Sequence, residues 1–222
     1  MNSTIVTNIN TIYAKIAHAC SNVNRHASDV EIVAATKTRD ADAIKTLILD
    51  GRIKTCGENR VQELVAKYTS EIQWDMIGRL QTNKVKYIIK FIRLIQSVDR
   101  ISLLEEIERR ACAINKIQKV LIEVNTGCEE NKGGIVLDDV VTFANNFSKY
   151  KNVELAGLMA VAPIDASPQK LRQLFCDTNS QYIALQSKFD TVKYLSMGMS
   201  DDFEIAIECG ANIIRPGRIL FC

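Results

Sequence analysis

Histidine is almost missing from this 222-residue chain. His18 and His26 both precede the first predicted strand, so nothing after residue 26 can supply an imidazole. That argues against a Ser-His-Asp or Cys-His nucleophilic site in the main body, and against a His-rich metal site. General acid or base work falls instead to Lys, Tyr, Cys or carboxylates. Proline (3) and glycine (10) are few, and no low-complexity run or fixed-period repeat occurs. With no long linker there is no clear domain boundary, and one domain over residues 1–222 is expected. The seven cysteines are an odd number and form no Cys-x-x-Cys pair, so they read as reduced thiols rather than disulfide or zinc ligands. Excess charge is also lacking. A net +2 offers no strong field for nucleic acid or a membrane surface. Met1 to Ser21 has neither a basic start nor a continuous apolar core, and no stretch reaches the length of a membrane span. A cytoplasmic location is expected.

What is present is apolar material in regular order, with 47% hydrophobic residues. Ile5, Ile9, Ile12, Ile16 and Ala19 form a one-face stripe, which predicts a leading helix, with a linker to residue 30. Strands are predicted at 31–36, 53–56, 73–77, 93–98, 119–125, 153–159, 192–197 and 211–215. Helices are predicted after each of them but the last, at 40–49, 61–68, 80–90, 101–114, 138–146, 168–189 and 202–209, with Asp99 a plausible N-cap for the fourth. After the fifth strand a turn of Gly, Cys, Glu and Asn is read. Strict alternation of this kind means an α/β fold with a parallel sheet. Eight repeats at this length fit a (β/α)8 barrel over residues 31–222, at the small end of that fold's range. A doubly wound open sheet is the alternative, but no Gly-x-Gly-x-x-Gly follows a strand, which leaves a dinucleotide fold little support.

The first strand organises the rest. Ile32 to Thr36 are all small or β-branched, as suits a strand covered on both faces, and Lys37 ends the run. A buried, unpaired ammonium costs several kcal/mol (roughly) or gives up its proton, and a neutral amine attacks aldehydes and ketones. The plainer reading is a lysine that snorkels out of the sheet end. In a parallel barrel the C-terminal strand ends form the active face. Asn59, Arg79, Asn125, Ser200 and Arg215 fall there in this sequence. The loops after strands seven and eight carry Gly198, Ser200, Gly217 and Arg218, where barrels tend to hold phosphate. Alternatively Ser200 only caps its own helix. Arg215, which cannot shed its proton, needs an acceptor. Either it pairs with Glu58, Asp201 or Asp202, or it donates to a ligand's ring nitrogen. Lysine, phosphate loops and arginine together suggest a phosphorylated aldehyde held as an imine, and pyridoxal 5′-phosphate is such a molecule. An aldolase-type barrel uses the same lysine without that cofactor.

Specific stretches sharpen this. They are Ala34-Ala-Thr-Lys37-Thr-Arg39, Gly57-Glu-Asn-Arg-Val-Gln-Glu63, Trp74-Asp-Met-Ile-Gly-Arg-Leu-Gln-Thr-Asn-Lys84 and Gln96-Ser-Val-Asp99. Further on come Leu121-Ile-Glu-Val-Asn-Thr126, Gly157-Leu-Met159, Leu195-Ser-Met-Gly-Met-Ser-Asp-Asp202 and Ile214-Arg-Pro-Gly-Arg218. In these stretches, and in their order, the chain resembles the pyridoxal-phosphate homeostasis proteins, the YggS/PROSC family, from about Ile32 to Phe221. The resemblance implies a fold-type-III barrel related to the N-terminal domain of alanine racemase, with a pyridoxal-phosphate imine on Lys37. It implies Asn59 near the ring, Arg215 at the pyridine nitrogen, and Met199, Ser200, Gly217 and Arg218 around the phosphate. The implied role is vitamin B6 homeostasis and amino/keto acid balance without dedicated catalysis. A small pyridoxal enzyme such as an amino-acid racemase is the alternative. Apo-enzymes that take up pyridoxal phosphate are the implied partners. No apolar patch is assigned to an interface, so a monomer is expected. The chain departs from the family pattern at Asp75 and Arg79, where histidines are usual, and at Thr126-Gly-Cys128, where the usual turn reads Thr-Ser-Gly. It also departs at Arg218, where threonine is usual, and at Cys222, where glycine is usual.

Overall fold

The computed structural model describes residues 3–127, 133–163 and 165–222. The leading helix, α1 (Ser3–Ser21), buries Ile5, Ile9, Ile12, Ile16 and Ala19, the expected stripe. The strands are β1 (Glu31–Ala35), β2 (Thr55–Glu58), β3 (Gln73–Met76), β4 (Leu94–Val98), β5 (Gln118–Asn125), β6 (Ile135–Val136), β7 (Val153–Ala160), β8 (Tyr194–Ser196) and β9 (Ile213–Ile214). All pairings are parallel. β1 pairs with both β2 and β9, and β4 pairs with β5, so the sheet closes into a barrel of eight strands, with the two-residue β6 added beside β5. The helices that follow are α2 (Ala41–Asp50), α3 (Val61–Lys67), α4 (Val85–Ile88), α5 (Ile101–Cys112), α6 (Val140–Ala144), α7 (Pro168–Gln186), α8 (Phe203–Glu208) and α9 (Arg218–Phe221). The α/β barrel expected from alternation is the observed fold.

Two apolar cores result, as a barrel of this kind requires. The larger lies between sheet and helices and includes Ile32, Ala34, Ile122 and Val124. The smaller fills the barrel, with Val33, Leu94, Leu121, Ala156, Met159 and Ile213. Alternate residues of β1 and β5 thus face opposite layers.

Several expectations are corrected. The second strand runs two residues further than read, through Gly57 to Glu58. Gly57 is no strand end. A Cβ there would lie 2.8 Å from Val33 Cγ1 and 2.9 Å from Ile77 Cδ1, so glycine permits close packing inside the sheet. Asp99 does not cap α5. Arg100 takes the N-cap position without a side-chain bond, and the Asp99 carboxylate pairs with Arg100 and lies 4.0 Å from Arg79 Nε. The helix read over 80–90 is a 3-10 turn (Thr82–Lys84) followed by the single turn of α4. Strand eight shrinks to Ile213–Ile214, and α9 follows it, so the last strand too has its helix. The β6 pairing went unread. Cys128, expected in the turn after the fifth strand, lies outside the described residues.

The termini meet on the outer wall. Asn8 Nδ2 donates to the Leu220 and Cys222 carbonyls at 3.2 and 3.0 Å, and Lys15 pairs with Glu204 at 2.7 Å. α1 therefore braces α8 and α9, the two helices that follow the loops at the seventh and eighth barrel positions. No helix among the described residues is long and apolar enough to cross a membrane.

Candidate functional site

The stretch after β1 is pinned from three sides. Thr36 is buried, and its Oγ1 donates to Glu58 Oε1 at 2.7 Å. Lys67, from α3, donates to the Thr36 carbonyl at 2.9 Å, to Glu58 Oε1 at 2.7 Å and to Glu63 Oε2 at 3.2 Å. The Thr38 amide donates to Glu63 Oε2 at 3.3 Å. Backbone on both sides of Lys37 is therefore held by one ionic cluster. Thr38 has φ +62°, a left-handed conformation uncommon for a β-branched residue and of the kind that collects at functional sites. Lys37 itself is exposed, so the burial that the strand-end reading invoked is absent.

The last two barrel loops are stitched to each other and to β1. Ser200 Oγ accepts from the Gly217 and Ile219 amides, both at 3.2 Å. Ser200 thus binds the start of α9; it does not cap α8, as the plainer reading had it. The Ala35 amide donates to the Pro216 carbonyl at 2.9 Å, and a Cβ on Gly217 would stand 3.3 Å from the Ala35 carbonyl oxygen. Gly198 has φ +91°, and a Cβ there would meet Ala206 Cβ and Phe203 Cα at 2.7 Å. Met199, partly exposed, donates its amide to Asp202 Oδ1 at 2.6 Å. Arg218 pairs with Asp201 at the surface.

Arg215 is 3% exposed. Nη1 donates to Ser196 Oγ at 2.6 Å and Nη2 to the Ala160 carbonyl at 2.8 Å. Neither Glu58 nor Asp201 nor Asp202 receives a hydrogen bond from it, so the structural partners proposed for it are not the ones it has. Burial pushes its pKa down to about 10, against the pull of Asp202 and Glu123. From Ser196 a polar chain descends through the barrel. Ser196 donates to Gln96 Oε1 at 2.7 Å, and Gln96 Nε2 to Asp75 Oδ2 at 2.7 Å. Arg93 binds Asp75 with two N–H groups, at 2.8 and 2.6 Å, and reaches Glu31 Oε2 at 3.0 Å. Against burial, Asp75 and Glu31 hold the Arg93 guanidinium above its usual range.

Comparison with known proteins agrees with the fold. The family model for the alanine racemase N-terminal domain matches residues 13–222. A pyridoxal phosphate homeostasis protein of Aquifex aeolicus is 39% identical over 218 residues, covering 96% of this chain and 95% of its own. This chain belongs to the pyridoxal phosphate homeostasis proteins, within the alanine racemase N-terminal domain family. Among solved structures, an unknown protein from Bifidobacterium adolescentis matches this family member with TM-score 0.94 and 31% identity, over 99% of this chain and 95% of that one. PipY of Synechococcus elongatus PCC7942, solved with PLP bound, matches with TM-score 0.81 and 29% identity, over 93% and 100%.

In this homeostasis-family barrel the residues singled out in sequence gather unequally. Arg215, Ser200, Gly217 and the backbone before Lys37 form one connected rim. Asn59 ends β2 nearby, exposed, with its backbone so close to Gly78 that a Cβ there would lie 2.4 Å from the Asn59 carbonyl oxygen. Asn59 also lines an open cleft of about 1030 Å³ with Arg60, Arg79 and Lys84. Sequence reading passed over Glu123. Its signal was a lone carboxylate inside the apolar run Val120-Leu-Ile-Glu-Val124. Among the described residues no group of His, Cys, Asp and Glu could hold a metal ion.

Proposed function

We propose that this chain binds pyridoxal 5′-phosphate at the barrel rim, linked through Lys37. It would hold the cofactor for homeostasis of vitamin B6 and of amino/keto acid pools, without dedicated turnover. The observation that carries this is the stitching of β1's end to the loops around Ser200 and Gly217. It brings the backbone that carries an exposed lysine beside the Pro216-Gly217 turn and the Ser200 hydroxyl, which suits an aldehyde and a phosphate on one small molecule. The residues present fit the group. A buried guanidinium at Arg215 and an unsatisfied carboxyl oxygen on Glu123 stand in the mouth, ready for a polar ring.

When bound, the cofactor supplies an electrophilic aldehyde and a ring able to take up electron density. Lys37 Nζ would attach to the aldehyde carbon with loss of water. The 58–63–67 ionic cluster fixes its backbone. Arg215 would donate toward the ring nitrogen and so keep it unprotonated, which suits holding over carbanion chemistry. Asn59 flanks the ring. Met199, Ser200 and Gly217 would address the phosphate with backbone and hydroxyl groups, the Met199 and Gly217 amides leaving Asp202 and Ser200 to do so, and Arg218 would join them on exchanging Asp201 for the phosphate. Recipient apo-enzymes, a cytoplasmic setting, a monomeric state and action as one folded unit over residues 1–222 belong to the same proposal. The racemase model in the family's name favours a second reading, turnover of an amino acid.

The test is a near-ultraviolet and visible spectrum of the protein with pyridoxal phosphate added, beside Lys37→Ala. A yellow band present in the wild type and lost in the variant is expected. A protein that stays colourless would refute the proposal. Turnover in a broad amino-acid screen at ~1–10³ s⁻¹ would replace carriage with catalysis.

A further inference from the structure

Glu123 lies on β5 between Ile122 and Val124, which both pack against the helical layer. Strand alternation turns its side chain inward, above Leu121 of the barrel core and opposite Met159 of β7. Charged groups reach it from three directions: Asp99 from the end of β4, Arg79 from the loop after β3, and Arg215 from the end of β9. From β7 it meets Met159, which carries no charge. Glu123 Oε2 is buried and has no hydrogen-bond partner among the described residues. An unpartnered buried carboxyl oxygen is destabilising, and packing gains nothing from it. The chain Arg215–Ser196–Gln96–Asp75 beside it shows that this barrel satisfies interior polar groups elsewhere. Among the described residues the two exceptions are Gln118 Oε1, at the start of β5, and Glu123 Oε2, and of these only Glu123 is ionisable and lies toward the mouth.

We propose that Glu123 contacts the ligand of the mouth, its carboxyl donating a hydrogen bond to an oxygen substituent on the ring of the bound phosphorylated pyridine. The inference rests on the pyridoxal-phosphate reading above and adds a residue to that site. Burial, then the Asp99 charge, raise the Glu123 pKa to about 7, with Arg215 and Arg79 opposing. The donor form is therefore present below pH 7. Above it a carboxylate faces an anionic ligand, and attraction turns to repulsion.

The experiment is a titration of the apo-protein with pyridoxal phosphate across pH 6 to 8.5, followed by absorbance, for the wild type, Glu123→Gln and Glu123→Leu. Glutamine keeps the shape and a donor but cannot ionise. The ratio of E123Q to wild-type affinity should rise above pH 7, by up to about tenfold per pH unit. E123L should bind more weakly than wild type below pH 7 and shift the absorbance maximum. Taking the ratio removes every pH dependence that both proteins share. A flat ratio with an unmoved maximum, in a wild type that does turn yellow, overturns this inference alone. A colourless wild type overturns the pyridoxal-phosphate reading, and this inference with it. Should E123L not fold, the E123Q ratio still decides.

Discussion

The floor and the mouth of this barrel treat carboxylates in opposite ways. On the floor, Thr55, Glu31, Arg93, Asp75 and Gln96 form a chain in which each charge meets its complement at 2.6–3.0 Å. At the mouth, one Glu123 oxygen is buried without a partner and Lys37 stands exposed on a strained turn. Folding alone would favour the floor's solution everywhere, because a buried polar group left unpaired is the most expensive kind. The difference separates charges that specify the barrel from charges held ready for a ligand. Arg215 joins the two regions. Its Nη1 is the top of the floor's chain, while its place after β9 puts it in the mouth.

The largest effect should come from breaking the floor. Arg93→Met leaves Asp75, which is fully buried, without its two-pronged partner. Stranding one member of a buried ion pair costs about 3–5 kcal/mol. Urea denaturation of the apo-protein should show that loss. A loss below about 1 kcal/mol would mean that the floor is no better knit than a surface ion pair, and the contrast with the mouth would fall.

The mouth should show itself in the pH dependence of stability. The folded pKa of Glu123 is about 7, above that of an exposed glutamate. For a raised carboxyl, the folded state binds the proton more tightly than the unfolded state. Its contribution is full below the unfolded value near 4.3 and is lost as pH rises through about 7. The loss has an upper limit of about 4 kcal/mol, less whatever solvent at the mouth screens. Glu63 and Glu208 have lowered values, set by the Thr38 amide and by Arg172 respectively, so their stabilisation fades in acid and does not overlap this window. Denaturation midpoints between pH 5 and 8 should fall more steeply for the wild type than for Glu123→Gln, which keeps the same-direction contribution of Asp75, whose carboxyl burial also raises. Parallel curves would show that the mouth carboxyl is solvated like any surface group.

Much of this was legible in the sequence. Alternating apolar runs such as Ile32–Ala35 and Val120–Val124 carry the barrel, because strand burial on both faces leaves a local signature. The rim residues were legible for a different reason: Lys37, Ser200, Arg215 and Gly217 each end a strand or open a helix, and in a barrel those positions converge. Gly57 misled, since a glycine marks either a turn or a close approach and only the neighbouring strands distinguish them. Ser200 misled similarly, because its amide partners lie in the next loop, at Gly217 and Ile219. The floor was invisible. Asp75 sits on β3, Gln96 on β4 with Arg93 just before it, and Ser196 on β8, and no periodicity along one segment tells which distant polar groups share a barrel layer.

The smallest effect on stability, and the sharpest separation, should come from comparing two lysines a short distance apart. Lys67 donates to Glu58, Glu63 and the Thr36 carbonyl, and Glu58 is 0% exposed. Lys37 is exposed, on the turn that this cluster holds. Lys37→Ala should therefore change the denaturation midpoint by no more than an ordinary surface substitution, within about 0.5 kcal/mol, while erasing the yellow band. Lys67→Met should do the reverse in rank. It strands Glu58 and loosens the turn, so stability falls by several times more, and the band weakens only as far as the Lys37 backbone drifts. Equal stability losses in the two variants would mean that Lys37 is part of the cluster's packing, and the mouth would then lose the feature that sets it apart from the floor.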